Sequence, residues 1–179
     1  MSDNNTEKVK LDDLVKDDDI YPREKPSSET VKSFADSLEA GYADFPKIQV
    51  QRLVLESGEE ELAIIDGVHR RDAYQEYNER VEDEKRIEKI EAEPVIREDP
   101  VPKSEHLTEL RVEAIKANLE HGDRLSREDK KKMCRRMAED DPEMEITEKE
   151  FSDIFGCLEE PLMIGWMTFE PSKKKAETA

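Results

Sequence analysis

The spacing of apolar residues predicts an amphipathic helix early in the chain. Ser27 or Ser28 can cap its start, and Gly41 can end it in a left-handed conformation. Its apolar positions recur at helical spacing, at Val31, Phe34, Ala35 and Leu38. The preceding Tyr21-Pro22-Arg23 segment is predicted to be an extended loop, because proline disfavours helix in the residue before it.

Short apolar runs predict three strands around the next helix. The first covers residues 48–55, and a shift in its alternation predicts a bulge. The second covers 62–65, and the third covers 90–96, where Pro94 favours a sheet edge. Between the second and third strands, a helix is predicted from about His69, with an inner face at Ala73, Tyr74, Tyr77 and Val81.

The second half of the chain is predicted to be helical after a proline-rich linker at 99–102. One helix ends at Gly122 and has an apolar face at Leu107, Leu110, Ala114, Ala117 and His121. Two further helices begin at capping boxes, Ser126 with Asp129 and Thr147 with Glu150. Residues 148–166 have the spacing of a degenerate helix-turn-helix, with Gly156 in the turn and Trp166 in its core.

Composition then limits the classes of protein. The 179 residues carry 29 Lys and Arg against 47 Asp and Glu, a formal charge of −18, and 35% are hydrophobic. That hydrophobic share is below the usual value of about 45–50%, which indicates a small core under a charged surface. No segment approaches the ~20 apolar residues of a membrane span, and residues 1–10 lack the apolar stretch of a secretory signal. Two cysteines make neither a disulfide scaffold nor a zinc cluster, so a cytoplasmic protein without a metal centre is predicted.

The strand-to-helix turn Asp66-Gly67-Val68-His69-Arg70 is the most specific candidate site. A glycine lets the backbone approach a ligand closely, and the free N–H groups at a helix start attract anions. Arg70 can bind phosphate oxygens with two parallel hydrogen bonds, and His69 adds a donor. The turn is therefore a candidate phosphate site, although the same residues also suit an ordinary strand–helix junction.

The order and spacing of four segments resemble the ParB/sulfiredoxin superfamily. These segments are Tyr21-Pro22-Arg23, residues 29–41, Phe45-Pro46-Lys47-Ile48-Gln49-Val50 and residues 64–73. The resemblance covers roughly residues 10–98 and implies a small α/β nucleotide-binding fold. It also implies that Arg23, Gly67, His69 and Arg70 surround the phosphates of a nucleotide such as CTP, ATP or ADP with Mg²⁺.

The departures from the family pattern restrict the activity that the resemblance implies. Sulfiredoxins carry their catalytic cysteine where this chain has Val68, so sulfiredoxin activity is excluded. ParB proteins carry a Glu-Asn-x-x-Arg element, and here only Asn118 matches it, with Ala117 and His121 at the flanking positions. Asn118 and His121 share one helix face, which suits either a second wall of the pocket or a helix C-terminal cap.

A basic segment in the helical half is a candidate DNA-binding surface. Residues 124–136 carry seven basic and two acidic side chains, a local charge of +5 in an acidic chain. The same pattern also suits a solvated face that balances its acidic flanks. Such a helix can lie along a phosphate backbone, and the residues assigned to that role are Arg124, Arg127, Lys130, Lys131 and Arg135.

Together these features predict a ParB-like nucleotide-dependent DNA-binding protein, acting in plasmid or viral partition or in transcriptional regulation. Its partners would be DNA, a nucleotide, and a second copy or another protein. The expected organisation is a frayed N-terminus over 1–10, a nucleotide-binding α/β domain over 11–99, a helical region over 103–170 and a disordered tail over 171–179. The alternatives are a phosphotransferase, NTPase or nuclease using the same pocket, with no catalytic residue assigned, and an acidic protein-interaction module.

Overall fold

The fold alternates helices and strands, as the apolar spacing predicts. The structure, a computed structural model, describes residues 6–23, 26–120 and 126–140. Short 3₁₀ turns lie at Leu11–Asp13 and Asp83–Lys85. The strands are β1 (Glu7–Lys10), β2 (Leu14–Val15), β3 (Ile48–Val54), β4 (Glu60–Asp66), β5 (Lys89–Pro94) and β6 (Val101–Pro102). The helices are α1 (Ser28–Glu39), α2 (Val68–Arg80), α3 (Lys103–Glu120) and α4 (Arg127–Asp140).

These strands form one mixed sheet that curls on itself. Its order is β1-β5-β3-β4-β2, with β6 beside β3. Only Leu11–Asp13 separates β1 from β2, although they lie at opposite ends of that path. Four residue steps span at most about 14 Å, whereas four strand spacings in a flat sheet span about 19 Å. The sheet must therefore curve, which brings its two ends together around an apolar interior.

Two apolar layers bury the two faces of the sheet. The interior of the curl contains Tyr21 and Val68 with Val9, Leu11, Leu14, Ile48, Val50, Leu62, Ile64, Ile90 and Ala92. The opposite face packs against α3, through Leu110 and Ala114 with Ile20, Leu53, Ala63, Ile65 and Val101. The helical region that begins at residue 103 therefore shares a core with the preceding α/β region.

Three expectations about the strands differ from the structure. Residues 7–10 form β1, whereas the sequence predicts a frayed N-terminus. Val9 is the one buried side chain of this strand, and a single apolar residue is not enough to predict a strand. Pro94 does not mark an edge strand, because β5 lies between β1 and β3 and the proline is its last residue. The linker prediction is wrong for Val101 and Pro102, which pair with β3 as β6.

The sheet contains an irregularity near the predicted bulge, but not at the predicted position before Leu53. The register of β3 against β4 shifts between Gln49 and Val50, where Ile65 of β4 is the extra residue. Gln51, one residue further along β3, is fully buried. Its amide donates to the carbonyl oxygens of Arg97 (3.1 Å) and Asp99 (3.2 Å) and accepts from the N–H groups of Ile96 and Arg97. A buried amide is tolerated when it is bonded in this way, and Gln51 thereby fixes the segment after β5.

Local helix signals in the sequence are confirmed where the structure describes them. Ser27 caps α1, with its hydroxyl accepting from the Thr30 N–H, and Ser126 and Asp129 form the predicted capping box before α4. The predicted helix at Thr147, the helix-turn-helix over 148–166 and the tail over 171–179 lie outside the described residues. Within the described part of the chain, no helix is both long and apolar enough to cross a membrane.

Candidate functional site

The turn between β4 and α2 requires a glycine for two independent reasons. Gly67 has φ +108°, a conformation that side-chain-bearing residues rarely adopt. A Cβ placed there would lie 3.0 Å from Ile48 Cγ1 and 3.1 Å from the guanidinium carbon of Arg70. The absence of a side chain at Gly67 therefore allows the close packing inside the turn. The first N–H groups of α2 have no acceptor within the helix, as at any helix start.

The Arg70 side chain packs against Gly67 and connects the turn to the segment before β3. Its guanidinium donates to the carbonyl oxygens of Pro46 (2.6 Å) and Lys47 (2.7 Å) and forms an ion pair with Asp66. The residue is 8% exposed. The predicted phosphate ligands Asp66 and Arg70 are thus brought together, but they bind one another and the segment before β3. Their arrangement positions the turn.

His69 joins the starts of two helices. Its Nε2 accepts a hydrogen bond of 2.9 Å from the backbone N–H of Ser27, the N-cap residue of α1. Because an N–H group can only donate, Nε2 is the acceptor in this hydrogen bond. The N-termini of α1 and α2 therefore converge at His69, and each contributes the positive end of a helix dipole.

The loop over residues 16–23 is held in place by α3 and α4. Lys103 forms ion pairs with Asp17 (2.6 Å) and Asp19 (2.8 Å). Arg111, which is buried, donates to the Asp19 carbonyl oxygen (2.7 Å), and Arg136 donates to that of Asp18 (2.9 Å). Residues 17–19 therefore attach the loop to α3 and α4, and these contacts fix the position of the Tyr21-Pro22-Arg23 segment.

Tyr21, which is buried, and Asp72, which is half-buried, are two titratable groups next to this segment. Burial raises the pKa of Tyr21 to about 12, with Arg23 opposing the shift and Asp72, Asp66 and Asp129 adding to it. Burial also raises the pKa of the Asp72 carboxyl, against the neighbouring charges of Arg71, His69 and Lys16. The phenol is therefore a hydrogen-bond donor at neutral pH.

Glu61 gives a pH-dependent test of the loop anchor. Burial, and then the adjacent Asp17, raise the pKa of the Glu61 carboxyl, while Lys103 opposes them. A raised folded-state pKa adds stability at low pH that is lost as the pH rises through that pKa. We therefore expect Glu61→Gln to raise the melting temperature at pH 7–8, and the gain to vanish as the pH falls below the ordinary glutamate range.

Melting temperatures measured from pH 4 to pH 8 check this expectation. The control is Glu60→Gln, because Glu60 is the exposed neighbour on the same strand. A difference between Glu61→Gln and the natural protein that is constant with pH would contradict the assigned environment.

The structure describes the remaining predicted site residues only in part. Asn118 is buried, and its amide donates to the Ala114 carbonyl oxygen of its own helix (2.7 Å). Arg135 is exposed on α4. His121 and Arg124 lie outside the described residues, and for Arg127, Lys130 and Lys131 the structure describes the backbone only.

Sequence reasoning missed several residues that build the site. Ser27 was predicted only as a helix cap, yet its N–H binds His69. Lys103 and Arg111 were not singled out, although they hold the 16–23 loop. The acidic run 17–19 was a usable signal, because a carboxylate that becomes buried, as that of Asp17 does, needs a cation or a hydrogen-bond donor nearby.

Comparison with known proteins yields a structural similarity only. No family model matches the chain, and no curated protein matches it. Among solved structures, the C-terminally truncated chromosome-partitioning protein ParB from Caulobacter crescentus, crystallised with CTP-gamma-S, is similar with a TM-score of 0.47. The two sequences are 14% identical, and the match covers 85% of this chain and 71% of that one.

Proposed function

We propose that this chain is a ParB-like protein that binds a nucleotide through its phosphates and binds DNA through α4. The observation that carries the first part is the hydrogen bond between His69 and Ser27. It brings the N-termini of two helices to one place, beside a turn that only glycine can form. Each helix start carries roughly half a positive charge and N–H groups without helical partners, which is the chemistry that phosphate needs.

In this proposal the predicted pocket residues divide into two roles. Arg23, Gly67 and His69 lie on the segments that face the phosphates. Asp66 and Arg70 act as positioning residues, because their side chains are bound to each other and to the carbonyl groups before β3. The proposed second wall consists of Asn118, on α3, and His121, which lies outside the described residues.

The nucleotide proposed is CTP, ATP or ADP, and Mg²⁺ would arrive with it. Among the described residues, no group of three or more His, Cys, Asp or Glu side chains is arranged to hold a metal ion. Magnesium typically keeps several waters and binds through substrate phosphates with one or two carboxylates, so a preformed protein cage is not needed.

The proposed DNA contact uses the solvent side of α4. Met133 and Met137 are buried and fix the helix against the rest of the protein, while Lys132 and Arg135 are exposed. Basic residues on one exposed helix face suit contacts with the phosphate backbone rather than with base edges. The biological setting proposed is plasmid or viral partition, or transcriptional regulation, in the cytoplasm, as a homodimer or with a protein partner.

Binding of fluorescent duplex DNA, with and without each nucleotide and Mg²⁺, tests both parts together. Melting temperatures measured in the same samples report nucleotide binding. A nucleotide at about 100 times its Kd stabilises by roughly 2.7 kcal/mol. We expect one nucleotide to raise the melting temperature of the natural protein, and His69→Leu to lose that response while Arg80→Ala, at the far end of the same helix, keeps it.

The DNA part is tested by charge reversal in the same assay. Arg135→Glu should weaken DNA binding and reduce its dependence on salt, because fewer counterions are released. Lys116→Glu makes a similar charge change on α3 and should leave DNA binding close to that of the natural protein. No response to any nucleotide would refute the first part, and equal losses in the two charge variants would refute the second.

A further inference from the structure

Two carboxyl groups meet where the 16–23 loop contacts β4. Glu61, the second residue of β4, and Asp17, in the loop, have their carboxyl groups within hydrogen-bonding reach of each other. Asp17 is 6% exposed. The Oε1 atom of Glu61 is buried and has no hydrogen-bond donor among the described residues. The contact therefore places a carboxyl oxygen that lacks a donor next to a second acid.

The Asp17 carboxyl is held in position, because both of its oxygens have partners. Oδ1 accepts from the backbone N–H of Asp19 (2.9 Å), and Oδ2 forms an ion pair with Lys103 of α3 (2.6 Å). The carbonyl oxygen of Asp17 also accepts from the N–H groups of Ile20 (3.2 Å) and Tyr21 (2.8 Å). Asp17 therefore connects the turn inside the loop to α3, and a change beside its carboxyl acts on both.

One proton is needed to hold the two acids together. Ionised carboxyl groups only accept hydrogen bonds, so a bond between Glu61 and Asp17 requires one of them to be protonated. Glu61 is the better site for that proton, because Asp17 already accepts from two donors. The raised pKa of Glu61 agrees with this assignment: burial is its main cause, the Asp17 charge adds to it, and Lys103 opposes both.

A groove of about 900 Å³ gives the Glu61 side chain a second position, because Glu61 is also one of its lining residues. The other acidic lining residues are Glu7, Asp12, Asp13, Glu59 and Glu60. The cations of the groove are Lys8, Lys10, Lys89 and Arg52, and Arg52 forms an ion pair with Glu7 (2.7 Å). An ionised carboxylate is more stable in such an open, polar groove than against a buried acid.

We propose that Glu61 and Asp17 share one proton that attaches the 16–23 loop to β4, and that loss of this proton turns Glu61 into the groove and loosens the loop. With both acids ionised, Lys103 faces three carboxylates, those of Asp17, Asp19 and Glu61. A raised pKa in the folded state adds stability at low pH that is lost as the pH rises through it. The inference does not depend on the proposed function.

Carbon-13 NMR of the side-chain carboxyl groups, recorded on the full chain from pH 4 to pH 8, tests the shared proton. Asp17→Asn removes the facing charge, so we expect the midpoint of the Glu61 titration to move to lower pH. Asp18→Asn is the matched control, because Asp18 is the next residue of the loop and its side chain is 81% exposed. An unchanged Glu61 midpoint in Asp17→Asn, or equal shifts in the two variants, would overturn the shared proton.

Amide hydrogen exchange tests the effect on the loop. The Tyr21 N–H donates to the Asp17 carbonyl oxygen, so its protection reports whether the turn is folded. Between pH 4 and pH 8 we expect its protection factor to fall about fivefold, the effect of an accessible charge pair at the upper end of its range. In Glu61→Gln the protection factor should stay constant, because the amide is neutral at every pH and can donate to Asp17.

Glu60→Gln is the control for the exchange measurement, since Glu60 is the exposed neighbour on β4. It should show the same decrease in Tyr21 protection as the natural protein. A decrease that persists in Glu61→Gln, or protection that is constant with pH in the natural protein, would overturn the proposed loosening. If Asp17→Asn does not fold, Glu61→Gln decides the proposal alone, because it keeps the contact with Asp17.

Discussion

Replacing Gly67 with alanine is expected to destabilise the protein by about 2–5 kcal/mol and to abolish any response to nucleotide. A left-handed backbone costs a side-chain-bearing residue about 1–2 kcal/mol, and forcing an extra carbon into a packed region costs about 1–3 kcal/mol. Both costs apply here, because φ is +108° and the new Cβ would lie 3.0 Å from Ile48 and 3.1 Å from Arg70.

A second glycine in the chain separates those two costs. Gly58, in the β3–β4 hairpin, has φ +83°, and a Cβ built there meets no atom within 4 Å. Gly58→Ala should therefore show the backbone cost alone. Urea denaturation of both variants checks the difference, and equal losses of unfolding free energy at Gly67 and Gly58 would contradict the packing argument.

Replacing Arg70 with alanine is expected to cost about 3–5 kcal/mol of stability, the second large effect. Removing one partner of a buried ion pair leaves an uncompensated buried charge, here that of Asp66. The carbonyl oxygens of Pro46 and Lys47 lose their donor as well. Arg70→Lys should retain part of the stability, because an ammonium group preserves the charge but not the planar set of donors.

The control for Arg70 lies on the same helix. Arg80 forms surface ion pairs with Asp36, Glu39 and Glu76, so Arg80→Ala should change the unfolding free energy much less. The double variant Asp66→Asn with Arg70→Ala should lose less stability than the sum of the single variants. Additive losses in chemical denaturation would show that the two side chains do not act as a pair.

These expectations change how the phosphate site has to be tested. Loss of nucleotide binding in an Arg70 variant would not distinguish a damaged turn from a lost contact with phosphate, because the Arg70 side chain packs against Gly67. His69→Leu leaves the ion pair of Asp66 and Arg70 in place, although it removes the acceptor of the Ser27 N–H. Its binding data therefore carry functional information when its unfolding free energy, measured in the same way, stays close to that of the natural protein.

Local signals in the sequence are enough to place several of the elements. Ser27 precedes α1 and Gly41 follows it, and Gly67 separates β4 from α2. Ser126 and Asp129 form the capping box of α4. Each of these features depends on interactions between residues a few positions apart, and such interactions follow from residue type and spacing.

The order of the strands and the partners of the polar side chains follow from contacts between distant parts of the chain. The place of β5 inside the sheet depends on pairing with β1 and β3, which come from distant parts of the chain. The sequence assigned Arg70 to solvent and phosphate, but the carbonyl groups that hold it follow α1 and lie 23 and 24 residues earlier. Arg136 and Asp18, which a hydrogen bond joins, are 118 residues apart. A charged side chain takes its role from the partners that folding brings to it, and the spacing of neighbouring residues does not encode those partners.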